Sequence, residues 1–596
     1  ETVMNLLKEQ TYMGKLVIIN IHQPSSELYK MFDKVMIIDK GGYPIYYGNP
    51  TEAIVYFKTQ SNHPNPDEDQ CVKCGNINTD QILRIVEAKV VDEHGKATQI
   101  RKVTPVEWAE KFSKYAPSDK RKAASEKHKL PENNYSIPGL LKQSGIFFRR
   151  DVLSKLADKQ YILISLLGPP LLAFILAYFT RFAEGSSYKF SQNENIPPYM
   201  FMCVITSMFF GLMISSEEIV KDRKILKREL FLNLSWFSYL NSKIMIMFIL
   251  SAVQTISFVL IGNFILGIKG MTLSYWLVLF TTSCFANVLG LNISSAFNSV
   301  ITIYILIPFI IIPQLLFSGV LVKFDKLHIG KYPTHEFVPV IGDLMTARWS
   351  FEALAVRQFK DNKFEKNFIL YDIEKSQNNY YASFLINSLI KNIQQYDIYK
   401  DNPVRRNDIK EIFFKLNYHL DELSGLAGIT PGSWKDSLNI QAFSPEVKAK
   451  TSAYLDRLKS LFNKKMIYAR AMRDSVSKSI VESTGLDNYA LLKDNYENIL
   501  LSDMVLDRPT VRASYETSYR IIQKYEPGFM KPKAKYGRAH FYAPVKNIGN
   551  REIDTYWFNL AVIWMVSILL YVILYYKVLQ RLISYYGNLR IKSDEK

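Results

Sequence analysis

Cysteine is scarce, with four residues in a chain of 596. That excludes a disulfide-built scaffold, and Cys203 and Cys284 fall inside long apolar runs. The other two form a Cys71-x-x-Cys74 pair with only His63 nearby. One such pair, without a second pair or spaced histidines, is a weak zinc motif, so a structural turn is expected there and no metal. Also missing is any G-x-x-x-x-G-K-[ST] loop whose backbone N–H groups could cradle phosphates. Basic residues outnumber acidic ones, for a net charge of +18. They are dispersed, and without a compact basic stripe interleaved with aromatics no nucleic-acid partner is expected.

Long uncharged apolar runs are plentiful. Tyr161 to Phe179, Pro198 to Ser215, Ile244 to Leu266, Leu273 to Ile293, Ile301 to Val322 and Trp557 to Tyr576 each approach the roughly 20 residues that cross about 30 Å of hydrocarbon. None has the charged flank and cleavage site of a signal peptide. Inside them, Gln254, Asn263, Asn287, Asn292 and Gln314 are polar, a pattern that packs helices together or lines a cavity. Pro308 and Pro313 interrupt the fifth run.

Near the start stands KLVIINIHQPSSELYKMFDKVMIIDKGG. The nearly continuous apolar run Leu16 to Ile21 predicts a strand buried on both faces of a parallel sheet. Pro24 stops it, and Ser25 or Ser26 caps a following helix. Lys34 to Asp39 and Tyr43 to Tyr47 predict a hairpin through Gly41-Gly42. His22 then stands at a strand's carboxyl end, where open α/β sheets bind ligands, or is an ordinary loop histidine.

IHQPSSELYKMFDKVMIIDKGGYPIYYGNPTEAIVYF resembles the distal part of the nucleotide-binding domain in the White (ABCG) subfamily of ATP-binding cassette transporters. The resemblance makes His22 the H-loop residue that contacts the ATP γ-phosphate, and implies ATP and Mg2+ as cofactors, bound mainly by residues upstream of Glu1. No signature sequence or Walker B pair is found, so the chain is expected to start after the D-loop and not to hydrolyse ATP alone. NINTDQILRIVEAKV resembles the family segment after a Cys-Pro-type turn. By the same resemblance Gly139 to Lys159, with Leu141, Phe148, Val152 and Leu156 along one side, is an amphipathic connecting helix at the membrane surface. SSEEIVKDRKILKRELFLNLSWFSYLNSK resembles the first intracellular loop. There Glu217 or Glu218 closes the second span, Arg228-Glu229 opens the coupling helix, and Arg149 or Arg150 is the expected partner of the glutamate.

Six spans put both ends on one side, cytoplasmic if the first domain is to meet ATP. Lys221, Arg223, Lys224, Lys227 and Arg228, with Lys577, Arg581, Arg590 and Lys592 in the tail, agree with positive-inside. VIGDLMTARWSFEALAVRQF resembles the family's re-entrant segment between the last two spans. The chain departs from the family by continuing to about Glu552 with a helical insertion, in which Ser444-Pro445-Glu446 starts a helix carrying Leu455, Leu458, Phe462 and Met466. The insertion has no cysteine and no N-x-[ST] site, which favours a bacterial cytoplasmic membrane.

The expected fold class is membrane α-helical, with six transmembrane helices in an ABCG-like exporter fold, preceded by the C-terminal part of an α/β nucleotide-binding domain. In residue terms, 1–115 is that domain part, 116–138 a linker, 139–159 the connecting helix and 160–322 five membrane helices. Then follow the extracytoplasmic segment 323–555, the sixth helix 556–577 and a cytoplasmic tail 578–596. The expected function is ATP-driven export or translocation of a hydrophobic or lipid-like substrate by a dimer with a second half-transporter, in contact with membrane lipid. The alternatives are a mechanotransmission machine acting through the insertion on an envelope partner, or a non-catalytic partner subunit.

Overall fold

The computed structural model describes residues 2–63, 78–93, 96–115, 138–183, 188–229, 234–328, 336–510 and 512–585. Cys71, Cys74 and nearly all of the expected linker lie outside them. The chain divides into two units, Glu1–Asn134 and Tyr135–Lys596.

In the first unit, helix α1 (Thr2–Tyr12) leads through an extended segment to α2 (Ser26–Lys30), β1 (Val35–Asp39), β2 (Tyr43–Gly48), α3 (Pro50–Gln60), α4 (Thr79–Val86), β3 (Lys89–Val91), β4 (Ala97–Arg101) and α5 (Pro105–Tyr115). Ser25 caps α2 by accepting from the Leu28 N–H at 3.4 Å. Gly41 and Gly42 take φ of +95° and +85°, the left-handed backbone that lets β1 turn tightly onto β2. Tyr46, Phe57 and Trp108 are fully buried where that hairpin packs on α3 and α5. Arg101 reaches Asp39 at 2.9 Å and Glu87 at 3.1 Å, tying β4 to β1.

The expected parallel-sheet strand is not formed. Leu16 and Ile18 are 88% and 87% exposed, and no strand among the described residues pairs with 16–21. A buried strand exists only through its ladder partners. Here β1 pairs with β2 and β3 with β4, both antiparallel, so the run is extended but unpaired.

The second unit begins with α6 (Leu140–Ala157), α7 (Lys159–Thr180), α8 (Ile196–Ser215), α9 (Glu218–Glu229), α10 (Trp236–Leu266), α11 (Thr272–Ala296) and α12 (Val300–Leu316), and ends with α21 (Thr555–Tyr575). Among the described residues five helices, α7, α8 with its continuation, α10, α11 and α21, are long and apolar enough to cross a membrane. The fifth expected span is shorter than read: α12 has 17 residues and stops at Leu316, because the chain turns at Gly319 with φ +80°. It sits at the lower end of lengths that can span, about 17 residues.

Close contact holds this bundle together. A Cβ on Gly211 would come within 2.6 Å of the Ser283 carbonyl, and one on Gly290 within 2.0 Å of Ser215 Oγ, so α8 and α11 touch through glycines. The polar residues within the spans act as interhelical hydrogen bonds. Gln254 donates to the Ser165 carbonyl at 2.7 Å, Asn287 to Ser251 Oγ at 2.7 Å and Asn292 to the Leu570 carbonyl at 3.0 Å. Gln314 accepts from the Ala347 N–H at 2.9 Å.

Between α12 and α21 lie α13 (Val340–Asp343), α14 (Thr346–Lys360), α15 (Ile369–Asn379), α16 (Ile386–Tyr399), α17 (Arg406–Ala427), α18 (Pro445–Thr484), α19 (Leu486–Tyr496), α20 (Ile499–Val505) and the hairpins β5–β6 (Ser514–Glu516, Ile521–Gln523) and β7–β8 (Val545–Ile548, Arg551–Asp554). Ser444 caps α18, accepting from the Val447 N–H at 3.3 Å. Leu455, Leu458 and Phe462 then join Leu416, Leu420 and Leu389 in a second core.

Glu365, in the turn before α15, is buried with Glu497 and Asp372 nearby. Burial first, then those two carboxylates, push its carboxyl up to about 7, against the pull of Arg473 and Lys493. A carboxyl raised in the folded state binds protons more tightly there than when unfolded, so its ionisation destabilises the fold as pH rises from about 4.5 to 7. Glu365→Gln should therefore raise the melting temperature at pH 8 by the equivalent of up to about 3 kcal/mol and leave it unchanged at pH 4. Equal melting shifts at the two pH values would show that Glu365 does not titrate in this window.

Candidate coupling site

Three helices, α6, α9 and α10, come together. α6 packs on α10 through Gln143 and Phe147, both buried, with Asp151 and Lys155 continuing the same i, i+4 row. Leu141 is 90% exposed and Leu156 59%, while the row that ends in Asp151 and Lys155 turns toward charged partners on α9 and α10.

Those partners form a knot. Lys243, near the start of α10 and almost fully buried, places its Nζ 2.5 Å from Asp151, 2.9 Å from Glu218 and 2.8 Å from Asp222. Lys155 closes onto the other oxygen of Glu218, and the Tyr239 hydroxyl donates to Asp222 at 2.9 Å. Three carboxylates and two ammonium groups thus tie α6, α9 and α10 together. Ser294 at the end of α11 accepts from the Ile219 and Val220 N–H groups at 3.0 and 3.2 Å, capping the start of α9. Arg223 donates to the Ser295 and Phe297 carbonyls at 3.0 and 3.1 Å. A rigid-body displacement of α9 is therefore transmitted to α6, α10 and α11 at once.

The residues singled out from the sequence separate into two groups. Glu218 is inside the knot, while Glu217 pairs with Lys221 of its own helix and accepts from the Tyr304 hydroxyl of α12. Arg150 does pair with the loop, but at its far end: it meets Glu229 at 2.6 Å. Arg149 and Arg228 are exposed. The expected arginine partner of the glutamate is replaced by Lys155 and Lys243. Lys243 directly precedes the apolar run that starts at Ile244. A lysine one position from an uncharged run, on the buried side of the helix, was the available signal.

A second buried charge cluster is built on α14. Lys546 of β7 and Glu352, both fully buried, meet at 2.7 Å. Asn559 of α21 accepts from Lys546 at 2.9 Å and donates to Glu352 at 2.8 Å, and Arg348 stacks 3.9 Å above Trp349. Burial pushes Glu352 upward, yet Arg348 and Lys546 outweigh it and hold the carboxyl below its usual range. Burial lowers the Lys546 ammonium to about 8 despite Glu352.

In the first unit, His22 is exposed in a bend, followed by Gln23 at φ +49°. Among the described residues it makes no hydrogen bond, so both ring nitrogens are available to a phosphate oxygen. That fits a γ-phosphate contact, though one imidazole cannot by itself hold a nucleotide. No cluster of three or more His, Cys, Asp or Glu among the described residues is arranged for a metal ion.

Residues 142–359 match the ABC-2 type transporter family, and residues 22–159 match a second ABC-2 type transporter family. The chain is 42% identical over 57 residues to ABC transporter G family member 14 of Arabidopsis thaliana, covering 10% of this chain and 9% of that protein. It is 43% identical over 56 residues to Protein white of Drosophila melanogaster, 9% and 8% of the two chains. To ATP-binding cassette sub-family G member 5 of Homo sapiens it is 24% identical over 195 residues, 31% of this chain and 28% of that one. The matches span less than a third of each of these relatives. Together with the apolar helices they support an integral membrane protein similar to the membrane subunits of ABC transporters.

Proposed function

We propose that this protein is a half-subunit of an ATP-driven exporter that pairs with a second half-transporter and moves a hydrophobic or lipid-like substrate across a bacterial cytoplasmic membrane. The observation that carries this reading is the knot around Lys243. It is what a machine needs where motion of a cytoplasmic motor must reach several spans together. Within that reading ATP and Mg2+ are the cofactors, His22 contacts the γ-phosphate, and Arg228 beside Glu229 at the end of α9 opens the coupling helix. The nucleotide supplies the energy on hydrolysis. This chain's own residues orient a phosphate oxygen at His22 and pass displacement of α9 into the bundle. α12 crosses as the fifth of six spans, which puts residues 323–555 outside the cytoplasm.

Inside-out vesicles carrying the protein should accumulate a fluorescent phospholipid analogue in their lumen with ATP, and ATPase activity should rise with the analogue. Stimulated hydrolysis without accumulation would favour a mechanotransmission machine. Val404→Cys and Tyr468→Cys place thiols at strongly exposed positions of the insertion. Both should react with an impermeant maleimide on spheroplasts with an intact inner membrane. Labelling only after lysis would overturn the topology.

A further inference from the structure

The insertion carries a cleft of about 770 Å3 that the export reading does not use. Its size lies within the range of small-molecule sites, about 300–1,000 Å3. One wall is apolar, built from Phe337, Ile373, Tyr381 and Met530. The other carries two closed ion pairs, Arg520 with Glu336 and Lys533 with Glu422. Glu422 is also bonded to His419 Nδ1 at 2.9 Å, while His419 Nε2 accepts from the Ile521 N–H at 2.7 Å. Their charges are already answered, so this wall offers hydrogen bonds and a screened polar surface, without a strong field of one sign.

The cleft has a direction. A second cavity of about 150 Å3 shares Glu336, Phe337, Gln523, Met530 and His540 with it. That cavity extends to Gly319, Val320 and Phe324, just past the C-terminal end of the apolar helix α12. The second cavity thus joins the end of α12 to the cleft with a mixed lining, Val320, Phe324, Phe337 and Met530 beside Lys323, Asp325, Asp507 and Lys524. A soluble polar metabolite would leave the apolar part of both linings unmatched, and a fully apolar molecule would strip water from the ion-paired wall without return.

We propose that this cleft is a receiving site for a single-chain amphiphile, whose tail lies along Phe337, Ile373, Tyr381 and Met530 and whose polar head meets the Arg520–Glu336 and Lys533–Glu422 wall. This rests on the export reading, and names where the substrate goes after leaving the bilayer.

Gly425 provides a clean block. It lines the cleft from α17, and a Cβ added there meets nothing within 4 Å. Replacing a helical glycine does not weaken the helix, so Gly425→Trp should fold and fill the opening, with Gly425→Ala as control. The purified full chain is irradiated with a diazirine-bearing fatty acid, and cross-linked peptides are mapped by mass spectrometry. The expected result is labelling of peptides containing Phe337, Ile373, Tyr381 or Met530, retained in Gly425→Ala and lost in Gly425→Trp. Labelling confined to α7 to α12, or unchanged in Gly425→Trp, overturns the proposal. Cleft labelling without transport in vesicles would leave the site standing and remove the export reading. Transport with an unlabelled cleft would do the reverse.

Discussion

Lys243→Met should be the most damaging single substitution in the charge knot of α6, α9 and α10. It removes one ammonium from a cluster of three carboxylates, leaving Glu218 with Lys155 and Asp151 and Asp222 without a cation. Breaking a buried ion pair from one side costs about 3–5 kcal/mol, because the remaining charge stays desolvated without compensation. Asp151 already has one buried oxygen without a partner, so it has little capacity to adapt. The protein should express poorly and melt well below the parent in detergent. Adding Asp151→Asn to Lys243→Met restores the charge balance by removing a carboxylate whose cation is Lys243, keeps the Lys155–Glu218 pair, and should recover much of the loss. A single variant that melts like the parent would mean that the knot is hydrated in solution and does not bind the three helices together.

His22→Ala should lower ATP turnover by about a hundred- to thousandfold, the loss of about 3–4 kcal/mol seen when one preorganised donor to a developing oxyanion is deleted. The expectation follows from the role proposed for His22 and from its position: exposed, with uncommitted nitrogens, in a bend held on one side by the capped helix α2. ATP affinity should change little, since phosphate-binding loops and the metal carry most of it. Turnover and affinity are measured on the same preparation of the ATP-binding form. Near-parental turnover would make His22 an ordinary loop residue, and lost affinity with lost turnover would point to a disturbed turn.

Local chemistry was readable in advance. The Gly41-Gly42 hairpin, the Ser25 and Ser444 caps and the interhelical role of Gln254, Asn287 and Asn292 all follow from residues next to one another, or from polar side chains with nowhere else to go. What local pattern could not show was pairing at a distance. Whether Leu16 to Ile21 becomes a strand depends on partners it does not find among the described residues. Asp151 and Lys155 of α6 turn toward partners that sit on helices 63 and 92 residues further along. α12 ends early because of a glycine turn that a hydrophobicity pattern runs straight through. Arg348 and Glu352 lie in a helix that resembles a re-entrant segment, yet their burial depends on a lysine close to the last span.

That lysine constrains how the protein is made. Glu352 and Lys546 are 194 residues apart, and neither can be desolvated alone without a large electrostatic cost. Asn559, which bonds both, belongs to α21, which follows the insertion in the chain. The lysine and that helix therefore cannot settle before α14 is in place, and the insertion, translated between the two charges, must close its loop first. Slow closure of so long a loop makes the pairing of Glu352 with Lys546 a late checkpoint in biogenesis, and a chain whose insertion fails to fold would leave α21 unanchored and open to quality control.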